Sequence, residues 1–78
     1  MIISLKNLNM NNEGIINQIK LDNEMRRRMA DLGIVKGTII KPVLKSPCSG
    51  IRAYEVRKII LAIRDEEASK IEVIYVEN

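Results

Sequence analysis

The sequence predicts a mainly β domain, in which five short strands form a small, partly open barrel with one short α-helix inserted after the first strand. Three observations carry this. Short isoleucine-rich segments alternate with links that are polar or bear glycine or proline. Only the stretch from Asp22 to Leu32 repeats apolar residues at helical spacing. The chain has 78 residues, enough for one domain spanning 1–78, with residues 1–13 as an N-terminal arm.

Along the chain, Asn7 to Glu13 is rich in asparagine and reads as a loop leading into Gly14. Leu5 and Leu8 are placed to pin the arm to the body. Ile15 to Leu21 is the first strand; its core-side residues, Ile16 and Ile19, break strict alternation, which predicts a bulge between them. Asp22 or Asn23 caps the helix by accepting a bond from an orphan amide. Glu24 sits at the positive end of the helix dipole and four residues before Arg28. Met25, Met29 and Leu32 are expected to share the buried face.

The helix end is the best-specified part of the chain. Gly33 suits the left-handed residue that stops a helix, and Ile34 follows where it folds back on Met29. Gly37 suits the positive-φ position of a type II turn, with Lys36 before it.

Thr38 to Lys45 is the second strand, and Pro42 within it implies an edge or an irregularity. Ser46 to Gly50 is a loop. Ile51 to Val56 follows, with Arg52, Tyr54 and Val56 on one side. After the polar link Arg57-Lys58, Ile59 to Arg64 places Ile59, Leu61 and Ile63 opposite Ile60 and Ala62. Asp65 to Ala68 reads as one helical turn capped by Asp65. Ile71 to Val76 is the last strand. Pattern alone does not separate an SH3-like barrel from an OB-fold.

Composition excludes several classes of function. There is no histidine, which removes the commonest general base and the commonest transition-metal ligand. Cys48 is the single cysteine, so neither an intrachain disulfide nor a thiolate-pair metal site can form, and a reducing cytoplasm is expected. Asp65, Glu66 and Glu67 lack a calcium-loop pattern and read as a solvated turn. No catalytic group and no cofactor is expected. Tyr54 and Tyr75 are the only aromatics, too few for stacking on single-stranded nucleic acid. The longest apolar run, Ile59 to Ile63, is far short of a membrane span, so any membrane role works through a partner.

What remains is surface. The net charge is +3, mildly basic, which permits contact with an acidic partner. Arg26, Arg27 and Arg28 form one cluster with Lys36 on the adjoining turn. Arginine suits such contacts because its planar fork pairs with carboxylates.

The order of motifs resembles the FeoA family of small ferrous iron transport proteins. The matching residues are Gly14, Ile16 and Ile19, then Arg27-Arg28-Met29-Ala30-Asp31-Leu32-Gly33, Ile34 to Thr38, Ile59 to Arg64, Glu67-Ala68 and Ile71-Glu72-Val73. The resemblance implies an SH3-like barrel and a cytoplasmic, non-enzymatic accessory of bacterial ferrous iron uptake. It also implies a partner, the membrane permease FeoB, which carries a cytoplasmic G domain. No metal ligand transfers to a residue here. Lys36 stands where the family often has proline, and Pro42 where a β-branched residue is usual. Arg57-Lys58 replaces a link that commonly contains glycine, and Arg52 lies on a strand face that is normally apolar. Two other readings are a small RNA- or ribosome-binding barrel and a metal-responsive sensor domain.

Overall fold

Six antiparallel strands curl around one core in the computed structural model, which describes residues 1–47 and 49–75. The expectations for Cys48 and Val76 fall outside the described residues. The strands are β1 (Ile2–Ser4), β2 (Gly14–Ile19), β3 (Ile39–Lys45), β4 (Ile51–Val56), β5 (Ile59–Arg64) and β6 (Ile71–Tyr75). They run in the spatial order β1-β6-β2-β3-β4-β5, so the sheet is continuous but not closed. Helix α1 (Asn23–Asp31) follows β2, and the short helix α2 (Asp65–Ala68) links β5 to β6.

The sheet has one strand more than the sequence pattern indicates. β1 lies in the arm and pairs with β6 through Ile2–Ile74, Ile3–Val73 and Ser4–Glu72. A 3₁₀ turn, Leu5–Asn7, follows it. Leu5 and Leu8 are fully buried in the core beside Ile16, Ile40, Tyr54, Ile71 and Val73, so they do pin the arm. Gly14 lies where β2 passes close to this layer. A Cβ there would sit 3.0 Å from Val73 Cγ2 and 3.1 Å from Leu8 Cδ2.

The expected bulge is present: the β2–β6 register shifts between Ile16 and Gln18. Pro42 is buried within β3, an interior strand of the sheet, beside a second register shift between Pro42 and Leu44. The irregularity accommodates the missing amide. The Pro42 carbonyl accepts from Asn11 N–H at 2.7 Å.

Arg57 and Lys58 join β4 to β5 as a two-residue turn, with φ of 51° and 67°. Both are left-handed, as a type I′ hairpin requires, without the asparagine and glycine that usually supply this. Ile63 is buried and Leu61 packs on the core, but Ile59, expected on the same face, is 59% exposed at the hairpin end. At α2, Asp65 is not the cap. Arg64 holds the extended cap position, and its N–H donates to Glu67 Oε1 at 3.3 Å; Asp65 is the first helical residue.

Arg52 occupies its unusual place on the core-facing side by serving the arm. Its guanidinium donates to the carbonyls of Leu5 (2.8 Å), Lys6 (2.7 Å) and Leu8 (2.9 Å). Nε donates to Tyr54 Oη at 3.1 Å, and the cation lies 5.2 Å from the Tyr54 ring centroid. Burial pushes the Tyr54 phenol pKa up. The Arg52 charge and hydrogen bond oppose this, and Asp65 adds to it.

Candidate functional site

Helix α1 sets the geometry of the basic cluster. Asp22 is its cap, with a side-chain oxygen accepting from Met25 N–H at 2.9 Å. The far end closes as a Schellman motif. Gly33, at φ 89°, donates to Ala30 O at 2.9 Å, and Ile34 N–H reaches Met29 O at 2.9 Å. Met29 and Ile34 both belong to the core. Thr38 N–H then bonds Val35 O at 3.1 Å across a turn with Gly37 at φ 94°, the type II turn expected.

Arg26, Arg27, Arg28 and Lys36 are all exposed. The structure brings three of them together. Arg26, Arg27 and Lys36 line an open groove of about 850 Å³ between α1 and β2, with Asn17, Gln18 and Asn23 on its walls. Arg28 lies on the other flank of the helix. It lines a separate groove of about 480 Å³ with Met25, Leu32, Ile51, Ala62 and Arg64. Leu32, expected in the core, is 50% exposed there.

Among the described residues, no carboxylate lies within ion-pairing distance of these four cations. The expected Glu24–Arg28 pair is not formed; the ion pairs found are Lys20–Glu72 at 2.8 Å and Lys41–Glu55 at 3.7 Å. The groove therefore holds positive charge that nothing on its own surface neutralises. Asn17 and Gln18 were missing from the sequence-based list. The break in alternation between Ile16 and Ile19 was their signal, since the bulge falls beside them.

Among the described residues, no three His, Cys, Asp or Glu side chains cluster in a way that would hold a metal ion. No helix among them is long and apolar enough to cross a membrane.

Comparison with solved structures places this geometry among known proteins. The Chlorobium tepidum FeoA solution structure superposes with a TM-score of 0.89 at 24% identity, covering 96% of this chain and 71% of that one. A FeoA-like protein from Clostridium acetobutylicum gives 0.84 at 28% identity, covering 99% and 90%. A zinc complex of FeoA from Stenotrophomonas maltophilia, described as a procaryotic SH3 domain protein, gives 0.74 at 24% identity, covering 95% and 89%. No curated protein matches by sequence. The fold is thus SH3-like, as the resemblance implied. With the FeoA domain model matching residues 3–75, nearly the whole length, the chain belongs to the FeoA family.

Proposed function

We propose that this chain is a non-enzymatic, cytoplasmic accessory of ferrous iron uptake that contacts a FeoB-like permease, or its G domain, through the groove between α1 and β2. Family membership supports the link to iron transport, and the Stenotrophomonas protein is itself put forward as a ferrous iron transport activating factor. One observation carries the choice of surface: Arg26, Arg27 and Lys36 converge on one groove without an internal counter-charge. An acidic segment entering it gains paired charges and steers the encounter, with little of its binding energy spent on displacing existing ion pairs. Arg28 contributes to the surrounding field from the opposite flank.

The test is titration of the purified chain with the soluble G domain of the cognate permease. The triple variant Arg26→Ser, Arg27→Ser, Lys36→Ser is expected to bind at least about tenfold more weakly, a loss of about 1.4 kcal/mol. Its residual binding should also respond less to added salt. Unchanged affinity in a folded triple variant refutes the choice of groove. Absence of binding by the native chain refutes the G domain as partner.

A further inference from the structure

We infer that the groove on the other flank of α1 is a site for strand addition, in which β5 pairs with an extended segment of another protein that is apolar at its centre and acidic at both ends. Three observations lead here.

The first is the open edge. β5 is the last strand of the sheet and, among the described residues, pairs only with β4. Asp65 N–H donates to Gly50 O at 2.7 Å. In an antiparallel ladder, hydrogen-bonded pairs recur at every second residue. The bonded pairs are therefore Ile63 with Arg52, Leu61 with Tyr54, and Ile59 with Val56. The amides and carbonyls of Ile60 and Ala62 consequently point away from β4, towards the open edge, whereas the Arg64 amide is already taken by Glu67 Oε1. Natural proteins usually blunt or cover such an edge.

The second is the wall facing it. Met25, Arg28 and Leu32 of α1 line the same groove as Ala62 and Arg64. The groove these residues share, of about 480 Å³, is also lined by Ile51 of β4. An added strand would satisfy the free backbone groups, and every second side chain would meet the apolar helix flank. Leu32 (50% exposed) and Ile60 (60% exposed) are apolar surface of the kind such a segment covers.

The third is charge, which selects the occupant. Arg57 and Lys58 lie at one end of β5 and Arg64 at the other, with Arg28 between helix and strand. Glu67 also lines the groove and keeps its charge while accepting from the Arg64 amide, so Arg28 and Arg64 leave the lining with one net positive charge. A second copy of this chain fits poorly. Of the two antiparallel registers that overlap β5 with itself equally, one sets Lys58 opposite Arg64, twice, and like charges directly opposed are destabilising. The other sets the apolar Ile60 opposite the charge of Arg64, twice. A strand with carboxylates at both ends meets complementary charge at each. This site stands apart from the groove holding Arg26, Arg27 and Lys36, and does not depend on the permease contact.

The test is amide hydrogen exchange on the full chain with three capped peptides at millimolar concentration. The first is Asp-Val-Thr-Val-Thr-Val-Asp. The second replaces both Asp by Lys. The third is the acidic sequence N-methylated at alternate amides, prepared in both registers. The acidic peptide is expected to slow exchange at Ile60 and Ala62 at least about tenfold, because these amides become hydrogen-bonded. The lysine peptide and at least one N-methylated register should not. The proposal is overturned if the acidic peptide protects neither of the two amides, or if the lysine peptide protects them equally. It is also overturned if they become protected in the chain alone as its concentration rises, which would make a second copy the occupant.

Discussion

Arg52 gives the sharpest prediction, because one side chain ties the arm to the sheet. Replacing it by methionine keeps most of the aliphatic volume and removes every donated bond. Three backbone carbonyls then lose a charged donor, and Tyr54 Oη loses its Nε partner. Bonds from charged groups are worth roughly 1.5–3 kcal/mol when buried, but Arg52 is only half-buried, so about 1 kcal/mol per carbonyl is the appropriate figure. The loss is then about 3 kcal/mol, against a total stability of roughly 4–12 kcal/mol for a chain of this length. A domain of this size loses roughly 4–8 °C of Tm per kcal/mol, so Arg52→Met should melt about 12–24 °C lower. Arg52→Lys keeps the charge without the planar fork and should recover about one of the three bonds. Urea and thermal denaturation followed by circular dichroism supply the magnitudes. Hydrogen exchange supplies the location, since Ile2–Ser4 and the Leu5–Asn7 turn should open before the rest. A loss below about 1 kcal/mol, the ordinary effect of a substitution, or a loss without faster exchange in the arm, refutes the reasoning.

Three further outcomes follow from local geometry. Arg57→Asn with Lys58→Gly should stabilise the chain by about 1–2 kcal/mol, because both positions are left-handed; the urea midpoint should rise with an unchanged slope. Gly14→Ala should cost about 1–3 kcal/mol by pressing a methyl group on Val73 and Leu8, and this cost should shrink in a Val73→Ala background. The raised Tyr54 pKa makes the folded state hold its phenol proton after the unfolded chain has begun to release it. Stability is thus unaffected below pH 10.0, the ordinary phenol value, and falls above it, by up to about 1.4 kcal/mol per pH unit. Tyr54→Phe should remove that part of the alkaline slope in pH-dependent denaturation.

The parts legible in the sequence are those fixed by neighbours in the chain. Asp22, Gly33 and Gly37 each act within a few residues, so their cap, stop and turn follow from residue type alone. The bulge beside Ile16 was visible because period-two alternation fails there. β1 left no such mark. Its three residues have no turn signal after them, and their partner lies at the other end of the chain, at Ile74, Val73 and Glu72. Arg52 was legible only as an anomaly, because the carbonyls it serves lie 44 to 47 residues away. The cap of α2 differed for a smaller reason: Glu67 reaches back to the Arg64 amide and draws the helix start one residue earlier than Asp65.

The same distinction explains how the basic run divides. Met29 is buried, and this fixes the rotation of α1 about its axis. At about 100° per residue, Arg26 then falls about 60° to one side of Met29 and Arg27 about 160° to that side, while Arg28 falls about 100° to the other. Met25 and Leu32 lie about 40° and 60° off centre, on the Arg28 side. Three consecutive arginines therefore cannot form one contact surface in a helix with Met29 inward. Two turn towards β2 and meet Lys36 across the groove, and the third turns towards β5 with Leu32. Leu32 stays exposed for the same reason: it borders the gap between helix and open strand instead of the core. A single amphipathic stripe describes α1 only as far as Met29, and beyond it each flank of the helix faces a different groove.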